Sequence, residues 1–249
     1  MPLSTPTPLQ LFLNRLLRRS PLGRQEQEAI LGLRNRPAQV EPRQDIVSPG
    51  TATAHACLVV KGLVARFDQM RDGKRQIVSF YLPGDMCDLH SVAVSTPGWG
   101  LEALTTTTVL FVPHADLAQL AQDHSRIAMA FWRDTTADAS ILAKWVGNLG
   151  RRQAAPRLAH LLCEMGSRME QAGLGSKTRY NLPATQAQLA DATGLTAVHL
   201  NRTLKTLAPY GVTFRARTVR IEDWGPVVEV AEFDPAYLLL RTGEPARAA

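Results

Sequence analysis

The sequence predicts an α+β chain: an N-terminal antiparallel β-roll, one long helix, and a C-terminal winged helix-turn-helix. Three observations predict it. Glycine-punctuated, β-branched segments fill much of the first half, an apolar stripe of helical period runs through the middle, and Leu182–Gly211 carries the grammar of two short helices around a tight turn. At 249 residues the chain is long enough to bury two separate cores. The expected divisions are residues 1–124 for N-terminal helices and roll, 125–150 for the long helix, and 151–249 for the winged helix-turn-helix with a C-terminal extension.

Short helices are expected at Gln10–Leu17 and Gln25–Leu33, and strands within Cys57–Val64, Gln76–Tyr81 and Thr105–Val112. Ser48-Pro49-Gly50, Arg71-Asp72-Gly73-Lys74, Pro83-Gly84-Asp85 and Pro97-Gly98 supply turns between apolar or alternating runs. From Ser125 to Leu149 apolar residues then recur at three- and four-residue spacing. That stripe is too long for one small domain to cover. Facing helices of two copies are therefore expected to bury Ile127, Phe131, Ile141, Leu142, Trp145 or Val146, according to their rotation.

In Leu182–Gly211, Thr185 can cap a helix running to about Ala192, Gly194 allows a tight turn, and Thr196 can cap a second helix to about Leu207. Leu189, Ala190, Leu195, Leu200 and Leu204 fall on the faces such a pair must bury. Left outward are Thr196, Ala197, Val198, His199, Asn201, Arg202 and Lys205, side chains suited to base edges and phosphates. Thr185 and Gln186, at the start of the first helix, join this set. The segment Val212–Ile221 reads as a hairpin wing whose Arg215 and Arg217 can lie along a phosphate backbone.

Charge supports a nucleic-acid partner. Between Arg151 and Arg220 eleven basic residues face three acidic ones, whereas the tail after Arg220 is acidic, so the formal excess of +6 is concentrated around the paired helices. No apolar run reaches membrane-spanning length and the N-terminus lacks the order of a secretory signal, so a cytoplasmic protein with no membrane partner is expected. Cys57, Cys87 and Cys163 are scattered, which suggests neither a disulfide framework nor a metal cluster. No metal ligand set and no catalytic residue is expected.

A roll with the Pro83-Gly84-Asp85 turn, Val59–Arg66 and Asp72–Ile77 segments in order, a long helix, and Arg157–Leu162 opening a winged helix-turn-helix together resemble the Crp/Fnr family of bacterial transcription regulators. The resemblance covers about Leu9–Asp223. It implies a cyclic-nucleotide-binding-like jelly roll as sensor and a homodimer formed along the long helix. It also implies two recognition helices in successive major grooves of a palindromic operator, and RNA polymerase as a further partner. It implies no enzyme activity.

The small-molecule effector is not identified by these residues. The resemblance places an effector pocket at Gly84, Asp85, Met86, Cys87 and His90. The family's cyclic AMP site needs an arginine after the turn, yet Met86–Leu104 contains neither arginine nor lysine. A desolvated phosphate without its charge-assisted bond loses roughly 2 to 5 kcal/mol, which argues against cyclic AMP in that mode. Three alternatives stand beside an effector-free regulator. Haem could be held by His90, with Cys87 nearby and Pro2 at the N-terminus, as in carbon-monoxide sensors of the family; no other cofactor is expected. Cys87 could act as a redox switch. A non-standard nucleotide pocket could draw its cation from Arg66, Arg71, Lys74 or Arg75.

Overall fold

The computed structural model describes residues 7–240, and Pro2 lies outside them. Two compact units form. Among the described residues, one comprises residues 7–66, Tyr81–Ser140 and residues 238–240; the other comprises Phe67–Phe80 and Ile141–Tyr237.

The first unit begins with α1 (Pro8–Leu17), which starts behind Thr7, whose side chain accepts the Gln10 N–H, with proline at the first helical position. After α2 (Arg24–Leu31) come β1 (Arg36–Val40), β2 (Asp45–Val47), β3 (His55–Lys61), β4 (Val64–Gln69), β5 (Arg75–Tyr81), β6 (Gly100–Ala103) and β7 (Thr107–Pro113). They pair in the orders β1-β7-β3 and β2-β6-β4-β5, giving the expected roll. The sequence-derived strand Cys57–Val64 is divided at Gly62-Leu63 between β3 and β4. β3 is apolar on both faces because both are covered. Cys57 and Val59 point into the roll with Val64, Tyr81, Leu101 and Val109, while Ala56 and Leu58 join Phe12, Leu13, Leu16, Ile127 and Phe131 of the helical layer. That layer contains α3 (His114–Asp123) and the first part of α4 (Ser125–Arg151).

The second unit holds the rest of α4, then α5 (Ala154–Gln171), β8 (Gly175–Ser176), β9 (Arg179–Asn181), α6 (Gln186–Ala192), α7 (Ala197–Leu207), β10 (Val212–Arg215), β11 (Thr218–Ile221) and α8 (Trp224–Ala231). The sheet order is β10-β11-β9-β8. The hairpin segment Phe67–Phe80 belongs here too: Ile77 N–H donates to Asp191 Oδ2 at 3.1 Å and the Phe80 ring meets Trp145 edge-on at 5.6 Å. The C-terminal extension folds back on α5. Tyr237 stacks on the buried His160 ring at 5.6 Å, Phe233 meets that ring edge-on at 5.2 Å, and Tyr237 donates its hydroxyl to buried Glu164 at 2.8 Å. Trp145 Nε1 and Arg168 Nη1 also donate to Glu164, each at 3.0 Å. Such a carboxylate tolerates full burial because three donors surround it.

The expectation for the outer face of α4 needs correction. Ile127, Phe131, Ile141 and Trp145 are buried against their own chain, Leu142 is half-buried, and of the six only Val146 is exposed, at 71%. The reason is local cover: α1 packs Phe12 on Phe131 at 6.0 Å, and Phe80 covers Trp145. The face left open carries Met129, Trp132, Thr136, Ala139, Ala143 and Val146, alternating three and four residues apart, and Trp132 is 69% exposed.

Candidate nucleic-acid interface

Local chemistry builds the paired helices as the sequence predicts. Thr185 accepts the Gln188 N–H at 3.2 Å while the Gln188 side chain accepts the Thr185 N–H at 2.8 Å, a reciprocal capping box at the start of α6. Gly194 turns with φ +61°, and a Cβ there would meet Leu149 at 3.1 Å, so both conformation and space favour glycine. Thr196 then accepts the His199 N–H at 3.1 Å to open α7. Leu189, Ala190 and Leu200 are buried between the helices, with Leu195 and Leu204 half-buried.

The outer side of α7 is continuous. Thr196, Ala197, Val198, His199, Asn201, Arg202 and Lys205 are all exposed, Val198 by 63%. Gln186 is exposed at the start of α6. Thr185, also exposed, spends both its hydroxyl and its N–H in the capping box. In the wing, Arg215 pairs with Thr218 across a two-residue turn formed by Ala216 and Arg217, with φ of +47° and +60°. These angles belong to a type I′ turn, normally made by asparagine or glycine, so the β10-β11 pairing holds two unfavourable residues in place. The Arg217 carbonyl accepts the Leu182 N–H at 2.8 Å, which ties the wing tip to the segment entering α6.

Some of the basic excess is structural. Arg168 pairs with Glu164 and donates to the Phe80 carbonyl at 2.6 Å; Arg157 donates to the Thr193 and Arg152 carbonyls; Arg152 pairs with Glu232. Arg179, Arg202, Lys205, Arg215, Arg217 and Arg220 are exposed and remain for phosphates.

The residues assigned to an effector pocket point to different sides of the roll wall. Consecutive residues alternate across the strand-like segment, so Met86 enters the helical layer and Cys87 the roll interior. His90 packs its ring on Trp99 at 4.8 Å, and burial, then Arg66, hold its pKa down to about 4. Cys87 lies opposite Cys57, its N–H donating to the Cys57 carbonyl at 2.8 Å. Burial and the neighbouring Cys57 raise the Cys87 thiol well above its ordinary value, and burial pushes Cys163 up to about 12. Both thiols therefore stay protonated at neutral pH. Asp85 does have a cation beside it. Arg15 of α1 donates through Nη1 to Asp85, through Nε to Asp134 at 2.7 Å and through Nη2 to Asp138 at 3.2 Å. Of the cations considered from the sequence, Arg66 stacks on Trp99 with its guanidinium carbon 3.6 Å from the ring centroid, Arg75 stacks on Phe67, and Lys74 pairs with Asp72. Arg15 was missed because it lies 70 residues from Asp85. A signal existed: Asp134 and Asp138 occupy inward positions of the very stripe that includes Phe131 and Ile141, where an acid demands a partner. Among the described residues no group of three or more His, Cys, Asp or Glu side chains is arranged to hold a metal.

Comparison with known proteins decides the family. A profile described as a Crp-like helix-turn-helix domain matches residues 156–225, and one for a cyclic nucleotide-binding domain matches residues 37–124. The chain is 30% identical over 171 residues to a "Probable transcriptional regulator flp" of Lacticaseibacillus casei, covering 68% of this chain and 75% of the relative. The chain belongs to the Crp/Fnr family of transcription regulators. It is likewise 30% identical over 172 residues to the nitrogen fixation regulation protein FixK of Rhizobium meliloti, covering 68% of this chain and 74% of that one. The solved structure of FixK2 from Bradyrhizobium japonicum superposes with a TM-score of 0.72 at 26% identity, covering 80% of this chain and 98% of FixK2.

As a Crp/Fnr regulator the chain therefore has a DNA-binding helix-turn-helix and a roll of cyclic-nucleotide-binding type. Both profiles stop short of α1, α4 and most of the C-terminal extension. Those are the elements that supply Arg15, Asp134, Asp138 and Tyr237. Among the described residues no helix is long and apolar enough to cross a membrane.

Proposed function

We propose that this regulator binds an inverted-repeat DNA operator in the cytoplasm as a homodimer, independently of cyclic AMP, and works on transcription through RNA polymerase. The observation that carries the reading is the unbroken exposed face of α7, where Arg202 and Asn201 can pair with base edges, Val198 can touch a thymine methyl, and Lys205 can reach a phosphate. The open stripe of α4 supports the dimer. Met129, Trp132, Ala139, Ala143 and Val146 repeat with coiled-coil spacing, and their small members allow two helices to approach closely. Two α7 helices would then enter grooves about 34 Å apart.

Effector-free binding is favoured over haem or thiol sensing. The His90 ring is packed on Trp99, and the buried thiols lack the electropositive, accessible setting that reactive cysteines need. Selection of bound sequences from a random duplex pool, with no nucleotide added, is expected to enrich an inverted repeat. The affinity should fall by roughly a thousandfold or more between about 50 and 200 mM salt if six or more phosphates are neutralised. A pool that stays random, or binding that gains strongly from cyclic AMP, would overturn the reading.

A further inference from the structure

The roll presents an acidic, buried receptor for a cation, and the chain fills it with its own side chain. Gly84 turns with φ +95°, and a Cβ there would lie 3.2 Å from the Leu11 carbonyl oxygen, so α1 sits directly on the Pro83-Gly84-Asp85 turn. Four residues further along α1, Arg15 offers each of its three guanidinium nitrogens to a different carboxylate: Asp85 on the turn, Asp134 and Asp138 on α4. Arg15, Asp85 and Asp134 are only 7%, 6% and 1% exposed. Around this centre, Tyr81 donates its hydroxyl to Asp138 at 3.3 Å and Arg19 donates to Asp134 at 3.2 Å. Burial opposes the charge on Arg15, but Asp134, Asp85 and Asp138 outweigh it and raise its pKa well above the ordinary value.

Resting on the Crp/Fnr reading above, we propose that Arg15 is a tethered internal ligand: it bridges the Asp85 turn to α4, the place where a soluble effector would act, and so holds the regulator in its DNA-binding state. Three carboxylates gathered out of water repel one another unless a cation lies between them. A planar fork with donors in three directions meets all of them at once, which the point charge of a lysine does not. Because α1 is part of the chain, the ligand is present at a high effective concentration and a dilute competitor does not displace it. The bridge bears on DNA binding because α4 is one continuous helix from Ser125 to Arg151, with α5 of the DNA-binding unit starting at Ala154.

The test uses the full-length chain carrying R15M, which keeps the aliphatic stem and removes the charge. Operator affinity is expected to fall about 5- to 150-fold, the range of one allosteric coupling. Millimolar methylguanidinium chloride should restore part of it, relative to the same concentration of sodium chloride. Methylguanidinium should also raise the melting temperature of R15M without DNA while leaving the unmodified protein unchanged. That second readout separates the two ideas: unmodified protein that binds no DNA sinks the regulator reading, whereas the melting response still reports on the receptor. Wild-type operator affinity in R15M, or a loss that methylguanidinium repairs in neither measurement, overturns the proposal. Should R15M fail to fold, Asp138→Asn removes one acceptor at the more open edge of the site, and operator affinity unchanged by it would be equally fatal.

Discussion

At the scale of single residues, the interface and the interior ask different things of similar side chains. Arg202 is exposed on α7, whereas Arg168 is buried against Glu164. Replacing Arg202 by alanine is therefore expected to leave the melting temperature within a degree or two and to weaken operator binding by about 1 to 3 kcal/mol, with relaxed choice at one base pair. Competition binding against single-base operator variants checks this; an alanine variant that discriminates as the parent does would remove Arg202 from the readout. Legibility followed the same division. Thr185, Gly194 and Thr196 could be assigned from the sequence because a cap or turn is satisfied within three residues. Glu164 could not, since its donors Trp145 and Tyr237 lie 19 and 73 residues away.

At the scale of elements, α4 shows how one helix can be amphipathic toward its own chain and still carry a second, quieter stripe. The strongest apolar residues, Ile127, Phe131, Ile141 and Trp145, are taken up internally. What faces outward is Met129, Trp132, Thr136, Ala139, Ala143 and Val146, a pattern too rich in small and polar residues to stand out by hydrophobicity. Trp132→Asp or Val146→Asp is expected to place an unpaired charge in the helix seam and yield a folded monomer with operator affinity reduced by at least about tenfold, since two linked half-sites become one. Light scattering gives the mass and circular dichroism the fold. A dimer of unchanged stability in both variants would move the interface elsewhere, as would a single-chain mass for the unmodified protein.

At the scale of the whole molecule, buried titratable groups give the two units different responses to acid. His160 is kept neutral to about 4, by burial and then by the nearby Arg152 and Lys144, while Asn148 holds its Nδ1, Tyr237 stacks on the ring and Phe233 meets it edge-on. An imidazole ordinarily charges near 6.5, so its folded value is depressed. Its contribution is complete above 6.5 and is lost as pH falls toward 4. His90 in the roll has the same sign, but burial there also raises Asp88 to about 7, and that carboxyl contributes fully at low pH and loses its contribution as pH rises from about 4 to 7. In the roll's unit His90, joined by His114 whose pKa burial also lowers, acts against Asp88, whereas in the other unit His160 sets the direction. Between pH 6.5 and 4 the DNA-binding unit is therefore expected to lose on the order of 2 to 3 kcal/mol of local stability, more than the roll does. Hydrogen exchange of α5 and β3 amides across that range measures both, and His160→Gln should flatten the α5 response. Equal slopes in the two units would contradict the assignment.

The sequence by itself determined the order of elements, the roll, the paired helices with their caps, the wing, and the concentration of positive charge around them. Each of these depends on spacing of two to seven residues, where backbone geometry leaves little choice. Only the tertiary structure decided which face of α4 is spent inside, which cation sits on Asp85, and where the C-terminal extension docks. Arg15 meets Asp85 and Asp134 across 70 and 119 residues, and Tyr237 meets Glu164 across 73. Such pairings are selected by the burial of charged groups that must find partners out of water, a constraint that names the need within the sequence but leaves the partner to the packed chain.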